Sequence, residues 1–292
     1  MHRSLLILLL AIGLHAGDAA PDPDVAALTT VLLKAGAAVE TATKGEVVAF
    51  LATRPTVEAD EALTAQSAYL ARMTMKAVLR AGVRGFDGEA GHPVQTKYAK
   101  GKLAAGPLFA AEDLAFWQKK QARYLLQSTL TPAKERVRLR WQILDLQKGK
   151  PMPPIDFPPL SAATVATAPD LGILPDYNTE LLLLAGGKIG EQVGRGECWD
   201  LPGVWLQEHG YVRPGYDFGQ EVPVTEALPG DVLSIDTNGF HHVMLLVKLA
   251  SGLNGARIYH QNVNGKRVVI LDTFPPPMLN GVKIWRPGKK AG

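Results

Sequence analysis

The chain holds a single cysteine, Cys198, in 292 residues, so it can form no disulfide within itself. Neither sign of charge dominates: 31 Lys and Arg against 28 Asp and Glu leave a formal charge of +3, too little to argue for a nucleic-acid partner. There is no glycine-rich phosphate loop of either common pattern, so nothing points to an organic cofactor. The apolar run from Leu5 to Leu14 is roughly 10 residues, short of the ~20 that a membrane-spanning helix needs. Internal repeats and low-complexity tracts are also missing.

What stands around that apolar run reads as an export signal covering residues 1–20. His2 and Arg3 form a short polar, basic start, and Ala16-Gly17-Asp18-Ala19-Ala20 supplies the small residues of a cleavage site after Ala19 or Ala20. The alternative is an uncleaved N-terminal anchor. No cysteine follows the run, which excludes a bacterial lipoprotein anchor. The expectation is a secreted or periplasmic protein with no membrane span after signal cleavage. In an oxidising compartment a lone cysteine is a free thiol with a task, an intermolecular bridge, or a small buried hydrophobe.

A mature chain of about 270 residues is enough for two modest domains or one large one. Its 47% apolar and 20% charged content is that of an ordinary globular protein. The prolines cluster in Lys150-Pro151-Met152-Pro153-Pro154 and Phe157-Pro158-Pro159, where a helix cannot continue. This divides the chain into a helical region of unknown role (21–150), a proline-rich linker or wrap (151–186) and a second domain (187–288). In the first region, Ala59 to Ala81 carries apolar residues at helical spacing, with Gly82 as C-cap. Glu112 to Gln127 reads as a second helix. Thr131-Pro132 reads as the start of a third, running to about Lys148. Lys119, Lys120, Arg123, Arg136, Arg138 and Arg140 make this region basic, either as a solvated helical face or as an attraction for an anionic polymer such as a cell wall.

The second domain changes character. A helix is expected from Cys198 to about His209, ending at Gly210. Strand-like runs follow at Val232–Ile235, Val243–Leu249, Arg257–Val263, Arg267–Leu271 and Val282–Trp285. A helix followed by an antiparallel sheet is an α+β plan.

A thiol becomes a nucleophile when its pKa is lowered and a base stands beside it. The start of a helix favours thiolate, and Gly194 and Gly196 permit the tight approach that would put Cys198 there. His242 opens the run His242-Val243-Met244-Leu245-Leu246-Val247 and is the candidate base. His241 points to the opposite face of a regular strand. On the next strand His260 and Asn262 share a face, and either is a candidate to orient the imidazole. Gln192, six residues before Cys198, is a candidate oxyanion donor. A His242–His260 zinc site is the metal alternative, without a third or fourth ligand at convincing spacing, so neither a metal nor any other cofactor is expected.

Gln192 with Gly196-Glu197-Cys198-Trp199, then Pro229-Gly230-Asp231 before a strand, His242-Val243 and Gln261-Asn262 resemble the papain clan, and its NlpC/P60 and CHAP subfamilies most closely. His241-His242, Gln261-Asn262-Val263-Asn264-Gly265 and Ile284-Trp285-Arg286-Pro287 also resemble a cysteine-proteinase-fold domain of fungal cytoskeletal adaptor proteins. The resemblance covers Gly187 to Pro287. It implies a Cys-bearing helix packed on a small antiparallel sheet, with Cys198 as nucleophile, His242 as base, Asn262 or His260 as third residue and Gln192 as oxyanion donor. It further implies a cysteine hydrolase acting through a thioester on peptide amides, peptidoglycan among them. Acyl transfer would share that thioester. A different class of function is a catalytically silent fold serving as a binding or scaffold module. Glu197, beside the thiol, departs from the papain pattern and would raise the thiol pKa if it pointed inward.

Overall fold

The computed structural model describes residues 23–288, apart from 91, 93, 95–97, 100–101, 104–108, 168–169, 209–217, 238–239, 251–254 and 276–280. The expected export signal and the expected helix end at His209 and Gly210 lie outside the described residues.

The described residues between Pro23 and Asp145 form helices on a mixed sheet. α1 (Pro23–Thr43) leads to β1 (Val48–Phe50), β2 (Arg54–Pro55), α2 (Glu61–Arg80) and β3 (Gly85–Asp87). A small pair, β4 (Tyr98–Ala99) and β5 (Lys102–Leu103), precedes α3 (Ala111–Lys119) and two ten-residue strands, β6 (Tyr124–Ala133) and β7 (Arg136–Asp145). β1 lies parallel to both β3 and β6, and β6 and β7 form an antiparallel hairpin.

α1 buries Leu28, Leu32, Ala35 and Val39, a helical stripe, and crosses α2 closely at Gly36. A Cβ there would stand 2.3 Å from the Ala77 carbonyl oxygen. The stretch Asp24–Thr43 is long and apolar enough to cross a membrane, with mean hydropathy 1.4, yet this buried stripe is part of the core. α2 begins at Asp60, whose carboxylate accepts from the Leu63 N–H at 2.8 Å.

The helical reading of this half requires correction. The second helix stops at Lys119, and Gln121 takes a positive φ of 61° before strand β6 begins at Tyr124. The expected third helix, Thr131 to Lys148, is the end of β6 and all of β7. The physical reason is a period of two: in Arg136-Val137-Arg138-Leu139-Arg140-Trp141, every second residue is buried. That pattern outweighs the helix-start reading of Thr131-Pro132.

The proline-rich segment runs along the β7 edge as β8 (Lys150–Pro151), β9 (Ile155–Asp156) and β10 (Leu160–Ser161). Then come α4 (Ala162–Thr167), α5 (Asp176–Gly187) and α6 (Asp200–Glu208). The remaining strands are β11 (Gln220–Glu221), β12 (Val232–Thr237), β13 (Phe240–Leu249), β14 (Ala256–His260), β15 (Ile270–Phe274) and β16 (Val282–Arg286). They form an antiparallel sheet in the order β11-β16-β12-β13-β14-β15. The architecture is α+β, with two large sheets, the small β4–β5 pair and helices packed on the sheets.

One apolar cluster runs from Leu28 through α2, α5 and α6 to Val243, Leu245 and Val269, so both sheets contribute to it. A second cluster, with Met244, Leu246 and Ile258, covers the other face of the second sheet. Polar ties reinforce the junction. Glu40 on α1 accepts from Lys248 at 2.9 Å and Arg257 at 3.2 Å. Lys76, fully buried on α2, bonds Asp170 and Asp176.

Candidate functional site

Cys198 sits in a turn two residues before α6, and the loop that carries it is fixed from both ends. The buried Asp200 carboxylate accepts from the backbone N–H groups of Arg195 (2.7 Å) and Glu197 (3.1 Å). Gly194 has φ 56°, and a Cβ there would stand 2.9 Å from that carboxylate. Gln261, fully buried just past β14, does the same work from the sheet side. Its side-chain carbonyl accepts from Val193 N–H at 3.2 Å, and its amide donates to the carbonyls of Val193 (3.1 Å) and Glu197 (2.6 Å). An amide side chain thus replaces a strand partner for a buried loop.

The thiol is half-buried against the first apolar cluster and takes a hydrogen bond from the backbone N–H of Val243, the residue after His242. Burial pushes its pKa above the ordinary cysteine value. Glu197 pushes it the same way, and the N–H groups of Val243 and Trp199 only partly offset them.

His242 and His260 come together as the strands predict, with Nε2 of His242 2.9 Å from Nδ1 of His260. Both rings are buried, each 5% exposed. The register pairs His242 with Ile235, so by strand alternation it stands on the Met244 face, that of the second cluster. His260, paired with Ile270, stands on the same face as Ile258. Burial, with His260 beside it, pushes the His242 pKa down to about 4. Burial lowers His260 too, against the opposing pull of Asp272. Asp272 Oδ2 is 3.7 Å from His260 Nε2, beyond hydrogen-bond length, and among the described residues that buried nitrogen has no hydrogen-bond partner. His241 is exposed and lies 3.0 Å from Asp236.

Asn262 and Gln192 are placed elsewhere. β14 ends at His260, and Asn262 has a positive φ of 62°, so it does not continue the His260 face. Its amide donates to the Glu197 carboxylate at 2.7 Å, which draws that carboxylate toward the loop behind the strand end. Gln192 donates to the Gly194 carbonyl at 3.1 Å, within its own loop. Sequence reasoning missed Asp200 and Gln261, the two residues that hold the cysteine loop. Asp200 carried a legible signal as an acid in a first helical turn. Gln261 was legible only as part of a Gln-Asn motif, with no signal for this role, because its partners lie 64 and 68 residues away. Among the described residues no group of three or more His, Cys, Asp or Glu is placed to hold a metal.

No family model matches the chain, and no curated protein does. Among solved structures, the chain has slight likeness to the LpoB C-terminal domain from Escherichia coli: 12% identity and TM-score 0.31, covering 44% of this chain and 94% of that one. An NMR structure of E. coli LpoB gives 11% identity and TM-score 0.23, covering 55% of this chain and 82% of that one. TolB from Acinetobacter baumannii gives 10% identity and TM-score 0.22, over 82% of this chain and 49% of that one. Likenesses this slight carry no function across.

The expected membership of the NlpC/P60–CHAP type is therefore corrected. No such model matches. The cysteine-hydrolase reading drawn from that resemblance, with its peptide or peptidoglycan substrate, falls with it. The physical reason is that a Gly-x-Cys-Trp, a His-Val strand and a Gln-Asn pair are short. Here the Gln-Asn pair holds a loop.

Proposed function

We propose that the chain is an exported binding or scaffold module and not an enzyme, in which His242 and His260 form a buried structural pair and Cys198 packs separately against the first apolar cluster. The observation that carries this reading is the 2.9 Å hydrogen bond between the buried His242 and His260 imidazoles, whose burial favours the neutral form of each. A thiol nucleophile needs a stabilised thiolate with an imidazole able to take its proton. Here Cys198 packs against the first cluster while His242 stands on the face of the second, and burial raises the thiol and lowers the imidazole, so both favour their neutral forms. Export rests on the N-terminal run and the small residues that follow it.

The test is the rate at which iodoacetamide labels Cys198 at pH 7 in the native and the urea-unfolded chain. The native rate is expected to be less than about a tenth of the unfolded one, because a half-buried thiol of raised pKa supplies little thiolate. A native thiol that reacts faster than the unfolded one would mean an activated nucleophile and would end this reading.

A further inference from the structure

We infer that the outer face of the β6–β7 hairpin is a docking surface for a linear, phosphate-bearing polyanion, with Arg138 at its centre and Arg136 and Arg140 on either side. The inference rests on the binding-module reading and supplies its partner.

The three arginines are alternate residues of one strand, all exposed, so they leave the same face at steps of about 7 Å. Their cross-strand partners on that face are Ala133, Thr131 and Thr129. Thr131 is itself positioned by the Thr56 hydroxyl at 3.1 Å. The other face of β7 is pinned in the core by Val137, Leu139 and Trp141, each 2% exposed or less. The guanidinium row is therefore mounted on rigid backbone, and little ordering is needed when a ligand binds.

The row is open to an anion. Arg138 has no ion-pair partner among the described residues. Arg136 makes one long bond of 3.4 Å, to the Pro159 carbonyl. Arg140 pairs with Asp156 through Nε at 2.6 Å and Nη2 at 3.3 Å, but both side chains are more than half exposed, 56% and 58%, so solvent screens the pair and an anion can compete for the guanidinium. Guanidinium groups bind phosphate oxygens in pairs, and a row of them suits a chain of phosphates better than an isolated one.

A membrane fits less well. Binding to a lipid interface draws on apolar side chains that enter it, and this face presents arginine, threonine and alanine. The one large hydrophobic residue that is exposed among those described is Leu33, on α1.

The experiment titrates the full mature chain with long-chain inorganic polyphosphate between about 50 and 200 mM NaCl. Three phosphate contacts predict a slope of log K against log salt near −2, by the single-strand value of about −0.7 per contact. Arg138→Gln is expected to remove about a third of that slope, and the triple change of Arg136, Arg138 and Arg140 to Gln to weaken binding at least about tenfold. Asp156→Asn, which releases Arg140, is expected to tighten binding. Lys148→Gln with Lys150→Gln, off the row, is expected to leave affinity nearly unchanged. Melting curves confirm that each variant is folded.

Unchanged affinity in the triple variant would overturn the inference. So would equal losses from the lysine pair, or arginine-dependent binding to phosphatidylglycerol vesicles with none to polyphosphate. None of these outcomes touches the Cys198 labelling rate, so the thiol reading stands or falls separately.

Discussion

β7 and β13 are both ten-residue strands with neighbours on each side, yet they treat polar residues in opposite ways. β7 is covered on one face. Its side chains sort by parity, arginines out and Val137, Leu139 and Trp141 in. β13 is covered on both faces, and His242 through Val247 are all buried. Alternation gives a polar residue there no route to solvent. His242 must find a partner inside, and it finds His260 on the next strand. A one-sided strand offers its polar residues to other molecules, whereas a two-sided strand spends them on its own cohesion.

The sharpest way to break this contrast is to compare the two faces of β7. Trp141→Ala should cost about 3–5 kcal/mol, as for other buried aromatics, while Arg138→Ala should stay within about 0.5 kcal/mol. Urea unfolding of the two variants decides it, and similar losses would mean that β7 is not sorted as described.

Next in size is Gln261. Gln261→Ala leaves buried backbone groups of Val193 and Glu197 without partners and should cost about 3 kcal/mol in the same assay. A loss under about 0.5 kcal/mol would show that the cysteine loop does not depend on it.

The histidine pair adds a pH dependence of known sign. The His242 pKa is about 4 in the folded chain and about 6.5 when unfolded, so the unfolded state binds more protons between those values. Stability is full above about pH 6.5 and falls as the pH drops toward 4. About 2 kcal/mol should be lost between pH 7 and pH 5, and His242→Gln should flatten that limb. A wild-type profile as flat as the variant's would remove the buried pair from the account.

The smallest effect is on the surface. Arg140→Ala breaks an exposed ion pair with Asp156 and should change stability by less than about 0.5 kcal/mol. A larger loss in thermal melts would make the arginine row structural rather than available to a ligand.

The second sheet was legible in the sequence for the same reason that it is buried. Its strands are apolar runs bounded by Gly, Pro and Asn, and β12, β13, β14, β15 and β16 fall within a few residues of where those runs lie. α2 was legible from its periodicity and its glycine stop. The hairpin was not. Leucines in Tyr124–Leu130 satisfy a helical spacing as well as a strand, and the arginine alternation of β7 also reads as a basic helix face. In the site, the meeting of His242 with His260 followed from strand order alone. The role of Asn262 did not, because one left-handed residue after β14 turns its side chain toward Glu197. Short motifs gave the order of the elements but not which side chains meet across them.

The most direct test of the central claim is the pH dependence of iodoacetamide labelling at Cys198 in wild type and His242→Ala. The account predicts a thiol that titrates above the free-cysteine value of ~8.5 in both proteins, since burial and Glu197 set it and the imidazole does not. A thiolate titrating well below that value in wild type, and returning to it in His242→Ala, would contradict the account and make Cys198 and His242 a working pair.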